Sequence, residues 1–342
     1  MADFNINHIT GKQGQQGTVL AGVTTMSSIG AMRIPSGPTE QRGGRGRMII
    51  AGGSAGVTMN YLTIASTGNA SDFGDLYLYY LQVTAASSST RGVISGGSGP
   101  TAPTGTTSIS YTTISSQGGV ADFGNLNCGK RTSQAPMSDG VRGLFAGGYG
   151  TGLTPTNTNN IDMVTIASTG DSTDWGDFGY QWGTAAGGFA SPTRGIVWGG
   201  DPETNNIEYV TIATQGEGGK NFGDLITATK RSVGASNSTR GVMFGGRSPG
   251  STYVNTIEYI TIATLGNASN FGDLTAVTAE SAAASSSTRA INAGGENGSA
   301  AVNIIAYVTI ASTGNASDFG DLTAATGNLP GGCSDVHGGL GD

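Results

Sequence analysis

A unit of about 48 residues is written six times between Arg47 and His337, and at that length no single copy can bury a core of its own. Each copy must therefore pack on its neighbours. Every unit opens on an Arg five residues ahead of a Gly-Gly pair: Arg47, Arg91, Arg142, Arg194, Arg240 and Arg289 precede Gly52, Gly96, Gly147, Gly199, Gly245 and Gly294. A β-rich stretch follows, marked by Tyr61, Tyr111, Met163, Tyr209, Tyr259 and Tyr307, each with an Ile three residues on. Nine or ten residues after that Ile comes an aromatic followed by Gly: Phe73, Phe123, Trp175, Phe222, Phe271 and Phe319.

The spacings separate what is rigid from what varies. From the aromatic to the next Arg is always 18 or 19 residues, whereas the gap from Gly-Gly to the Tyr position runs from 9 to 16. Insertions confined to one place per repeat map to loops on one face of the array, which makes that face the expected contact surface. Eighteen residues beyond Phe319 lies His337, in a Ser-Asp-Val-His-Gly stretch that matches Ser-Asp-Gly-Val-Arg-Gly at 138–143. Six units fill the interval from Arg47 to His337 with almost no remainder, so the sequence predicts a closed ring and one domain over residues 40–342.

Within a unit, Arg240 to Gly246 is a short apolar run ended by a turn signal and reads as a strand, and Ile257 to Ala263, β-branched and aromatic, reads as a second. Gly266 to Asp273, rich in Asn, Ser and Gly, reads as a turn feeding a third strand. The Ala/Ser-rich tract from Ala276 to Thr288 supplies either a fourth strand or the crossover between units.

Gly accounts for 60 of 342 residues and charged residues for 11%, yet apolar β runs recur, so the chain is turn-rich rather than low in complexity. A net charge of −7 argues against nucleic acid and anionic membrane as partners, because both need clustered Lys and Arg. The start of the chain has neither a basic region nor a following apolar run, which argues against signal-dependent export, and no stretch reaches the length of a membrane span. Cys128 and Cys333 match no metal or disulfide framework and read as isolated thiols.

The order Arg, hydrophobic strand, Gly-Gly, Tyr strand and an aromatic 21 to 28 residues after the pair resembles the kelch β-propeller repeat over residues 40–342, with Phe-Gly mostly standing where kelch repeats have Trp. That resemblance implies an all-β, six-bladed kelch-like propeller. The wording Tyr-Val-Thr-Ile-Ala-Ser-Thr-Gly-Asn-Ala-Ser-Asp-Phe-Gly-Asp-Leu, at 307–322, is similar to repeats of virion proteins of tailed bacteriophages, particularly marine and cyanobacterial ones. A second segment supports this. Pro35, Gly37, Thr39, Gln41 and Arg42 match a Pro-x-Gly-Thr-Thr-x-Gln-Arg-Pro segment of phage tail and fibre proteins, while Pro38 and Gly43 depart from it. The resemblance implies a component of the virus particle, with residues 1–39, rich in Gly, Gln and Thr, as an arm attaching it to other virion proteins.

Catalytic readings fare poorly. Asp72, Asp122 and Asp318 open Asp-Phe-Gly triplets, but a motif repeated three times without the rest of the kinase set is a repeat turn. Residues 124–130 nearly spell a phosphate-binding loop, yet Arg131 stands where a hydroxyl is needed. Only His8 and His337 exist, too few for a multi-histidine metal centre or for a copper radical site, so no cofactor and no metal is expected. Turn oxygens around Asn315 to Asp318 suit calcium, although Asx turns explain them without an ion. Carboxylates for glycoside hydrolysis are in supply at Asp72, Asp75, Glu208, Asp224, Glu258, Asp273 and Asp321.

The six repeat arginines are expected to serve the blades, pairing with Asp75, Asp177, Asp224, Asp273 and Asp321, rather than to form an anion site at the axis. The six repeat aromatics are expected in the core between blades. Recognition is expected on the variable loops, with Thr101, Thr104, Tyr149, Thr154, Ser248 and Tyr253 as exposed contact residues. Together these readings give a non-catalytic virion protein on the tail, baseplate or fibre, with no nucleic-acid or membrane partner and a loop face meeting host glycan or receptor. The alternatives are an architectural head, neck or tail decoration contacting only virion proteins, and an enzyme degrading envelope polysaccharide.

Overall fold

The structure, a computed structural model, describes residues 46–342 except 101–104, 128, 130, 151–156, 184, 185 and 342, together with two short paired strands, Thr25–Met26 and Met32–Arg33. The chain divides into Met1–Gly43 and Gly44–Asp342. Apart from those two strands, the expected arm over 1–39 and the segment 35–43 lie outside the described residues.

Residues from 46 onward form a six-bladed β-propeller, each blade a four-stranded antiparallel sheet. From the inside outward, blade two is Thr84–Ser87, Arg91–Ser95, Ser108–Thr113 and Ala121–Asn125. Blade five is Val233–Ser236, Arg240–Ser248, Thr252–Thr261 and Ser269–Asp273. The innermost strands of blades three, four and six are Ala135–Ser138, Ala186–Ala190 and Ala282–Ser285. Blade one closes the ring: its inner strand, Gly331–Ser334, comes from the far end of the chain and pairs Cys333 with Ile49 of Arg47–Ala51. Each inner strand contacts the next, and the sixth returns to the first.

One strand reading needs correction, and one open choice is decided. The tract 269–273, expected as a turn, is itself the outermost strand, because a bulge between Ile257 and Glu258 lets its Asn and Asp face outward while Phe271 turns in. The Ala/Ser tract gives the inner strand of the following blade, where six strands converge and Ala, Ser and Gly predominate.

Antiparallel order fixes two faces. One carries the turns between first and second and between third and fourth strands; the other, the loop face, carries the second-to-third loops and the connections between blades.

Neighbouring blades are bonded at three radii. At the rim, the carbonyl of each repeat aromatic accepts an amide from a turn glycine of the next blade, as Gly118 N–H does on Phe73 at 2.8 Å, and Gly68 N–H on Phe319 at 2.8 Å closes the circle. Asn69, Asn267 and Asn315 accept the backbone amides of Asp321, Asp224 and Asp273, so the oxygen of Asn315 considered for calcium is held by the blade behind it. At middle radius lie the repeat aromatics, 2–3% exposed, each within a core shared with the next blade's Ile.

The arginines do not pair with the repeat aspartates as expected. Arg47, Arg91, Arg194 and Arg240 reach across to the carbonyls of Ile114, Ile166, Ile262 and Ile310 at 2.8–2.9 Å, and Arg289 reaches Ile64 at 3.1 Å. Each guanidinium also lies 4.3–4.8 Å from the ring of its own blade's Tyr. Blade three differs as a set: Met163 removes the ring, Arg142 turns to Asp139 at 2.8 Å, and the indole N–H of Trp175 donates to the Ile212 carbonyl at 3.3 Å. A tryptophan there makes the contact that an arginine makes elsewhere.

Nearest the axis, serine hydroxyls form a collar. Ser87 donates to Ser334, Ser138 to Ser87, Ser236 to Ala190, Ser285 to Ser236 and Ser334 to Ser285, all carbonyl acceptors at 2.6–2.8 Å. Blade four has Ala190 at this position and leaves a gap in the collar. After the last strand the chain turns under the ring into a single 3-10 turn, Gly338–Leu340, against blades three, four and five.

Candidate functional site

Departures from the repeat gather on the loop face. Exposed apolar side chains there are Val57, Tyr77, Leu78, Ile226, Val277 and Ile304, against Val141 and Leu265 on the opposite turns. Tyr77, 60% exposed, opens a Tyr-Leu-Tyr-Tyr run at 77–80 that joins blade one to blade two. The variable loop of blade two starts against this run: a Cβ on Gly99 would stand 2.1 Å from the Tyr79 carbonyl oxygen, so only glycine allows that approach.

Of the expected contact residues, Thr101, Thr104 and Thr154 lie outside the described residues. Tyr149, Ser248 and Tyr253 are half-buried rather than exposed. Strand pairing continues further than the spacing suggested, with Arg247 opposite Tyr253 and Ser248 opposite Thr252, so the exposed tip of that loop is residues 249–252. Tyr149 is likewise bridged to Thr132 and Asn157.

Tyr253 belongs to a charged cluster near the axial mouth. Arg231 and Arg247 both donate to Glu280, which is 1% exposed. Arg247 also bonds Glu296 at 3.3 Å and lies 4.5 Å above the Tyr253 ring, whose hydroxyl donates to Glu296 at 3.2 Å. Burial pushes the Tyr253 phenol above its ordinary value, against the pull of Arg247. Gln82, Ser133, Arg231, Glu280 and Leu329, each two residues ahead of an inner strand, share a left-handed backbone with φ of 51–59°. Their amides link around the mouth, as Glu280 N–H does on the Arg231 carbonyl at 3.0 Å. Below them a well of about 60 Å³ narrows to a waist of Ala85, Pro136, Gly188, Gly234, Ala283 and Gly332. A second cavity of about 60 Å³ lies beyond the waist, lined in part by Cys333 and His337. Either has room for a few water molecules.

The carboxylates considered for hydrolysis are spread over strands of four blades. Glu208 and Glu258 occupy equivalent positions in successive blades, just before the repeat Tyr, and each accepts a backbone amide of the blade behind: Gly179 on Glu208 at 3.1 Å, Ile226 on Glu258 at 2.9 Å. Asn60 does the same with Thr323 at 3.2 Å, as does Asp162 with Asn127 at 3.1 Å. Burial pushes both glutamates above the usual carboxyl range, and the amides they hold pull the other way. Asp72 accepts the amide of Gly74 two residues on, a local turn bond.

Neither a protein-family model nor a curated protein matches this chain. The described residues include no group of three or more His, Cys, Asp or Glu placed to hold a metal. Cys333 is a buried free thiol pushed up to about 12 by burial, and Cys128 lies outside the described residues. Spacing alone missed the run at 77–80, although a signal was present: the fifth and sixth units have Thr-Ala at this point, after the Leu that follows Gly-Asp. The clamp before the repeat Tyr was missed because its residue varies among Asn, Ser, Asp, Glu and Ala.

Proposed function

We propose that this chain is a non-catalytic recognition protein of a tailed-phage particle, a kelch-like propeller on the tail, baseplate or fibre whose loop face meets host surface glycan or receptor. The observation that carries the reading is the sorting of sequence by face: what repeats makes blade-to-blade bonds, and what varies opens on one side, with Tyr77 and Leu78 exposed there. Exposed tyrosines stack on sugar rings while keeping a polar tip in water. Glu208 and Glu258 hold backbone amides, which favours binding over hydrolysis. The phage assignment itself rests on the resemblance of the repeats and of residues 35–42.

A second reading, an architectural decoration touching only other virion proteins, draws support from Leu78, Ile226 and Val277, apolar groups suited to a protein neighbour. Host-envelope polysaccharide offered to the purified chain decides among the three. Binding lost in Tyr77→Ala without turnover supports recognition; turnover would make it an enzyme; no binding, with the loop face buried against other subunits in a reconstruction of the particle, would make it a decoration.

A further inference from the structure

The turn beneath the ring packs against the inner strands, and its His337 helps to line the lower axial cavity. His337 is half-buried there, with Nε2 at 2.7 Å from the Ser87 carbonyl, while Gly339 N–H donates to Nδ1 at 3.1 Å. A carbonyl only accepts, so Nε2 bears the hydrogen and Nδ1 is the bare acceptor: the seat fits neutral imidazole in one tautomer. The fit around it is close. A Cβ on Gly339 would lie 1.6 Å from the Ser138 carbonyl oxygen, one on Gly338 2.5 Å from that of Asn237, and one on Gly140 2.3 Å from the Leu340 side chain.

We propose that residues 336–341 form an acid-released plug: neutral His337 seats the turn, and protonation at Nδ1 sets two N–H groups against each other and frees it, opening the lower cavity to the turn face. The charges nearby do little to receive an imidazolium. Asp139 is already paired with Arg142 at 2.8 Å, Asp335 accepts the Arg47 amide at 2.8 Å, and the Cys333 thiol stays neutral. Ala186–Ala190 and Val233–Ser236, the inner strands of blades four and five beneath the turn, have no titratable side chain. Burial holds the seated imidazole below its ordinary 6.5, opposed by the Ser87 carbonyl and Asp139. The released turn titrates near 6.5, so the seated state is favoured fully above that value and weakens up to about tenfold per pH unit below it, until the seated imidazole itself titrates.

Hydrogen exchange of the full chain between about pH 7.5 and about pH 5.5, corrected for intrinsic rates, tests this at the amides of Gly339, Leu340 and Gly341. Expected is a loss of protection approaching tenfold per unit below about 6.5, with strand 331–334 still protected and no pH step in His337→Asn. Should that variant fail to seat at any pH, nitrogen shifts of the wild-type ring decide: a bare Nδ1 at neutral pH that gains its proton as the amides lose protection supports the plug. Tail protection that stays constant while the ring titrates, or that falls together with the strand, overturns it.

Discussion

Arg240 makes two contacts that Arg142 does not, a bond to the carbonyl of the next blade and a stack on its own Tyr, so the same side chain should weigh differently in two blades. Arg240→Ala should cost about 1–2 kcal/mol by loss of a charged hydrogen bond and a cation–π contact, and Arg142→Ala less than about 1 kcal/mol for a partly exposed ion pair within one turn. Chemical denaturation of the two variants side by side checks the order; equal losses would mean the stacking and the cross-blade bond carry little. Phe271→Ala should cost about 3–5 kcal/mol, as a buried aromatic between two blades does. The position of such residues was legible in the sequence because a repeat shows what every blade needs. Their partners were not: an arginine and an aspartate at fixed spacing suggest a pair, but the acceptor is a backbone carbonyl, and carbonyls have no letter in the sequence.

At the scale of the strand, the Ala/Ser tract could be recognised as recurring but not as innermost, since its small residues answer to six-fold crowding that no single unit reveals. Closure depends on one such strand. A chain ending after Pro330 would lose Gly331–Ser334 and leave Arg47–Ala51, a run of Met and Ile, as an open sheet edge. That truncation should drive association, seen as early elution and light scattering, whereas removal of 338–342 alone should leave a monomeric ring. The loops were legible as variable, but not in how far strand pairing would run into them, which is why Ser248 and Tyr253 fall inside a hairpin.

For the whole molecule, acid acts through opposing groups. Glu258 and Glu208 have raised values in the fold, so as pH falls toward the ordinary 4.5 the folded state takes up protons first and gains stability, whereas His337, held low, loses its contribution as pH falls below 6.5. Glu258→Gln should therefore flatten the rise in stability just above about pH 4.5 and leave the region near 6.5 unchanged, measured as unfolding free energy against pH.

The strand that begins at Arg47 sits between Gly331–Ser334 on one side and Thr58–Thr63 on the other. Tension applied through the chain ahead of Arg47 would run along that strand, loading both of its ladders in shear at once instead of peeling them one bond at a time. The seam where the circle is joined is thus also built to bear a pull.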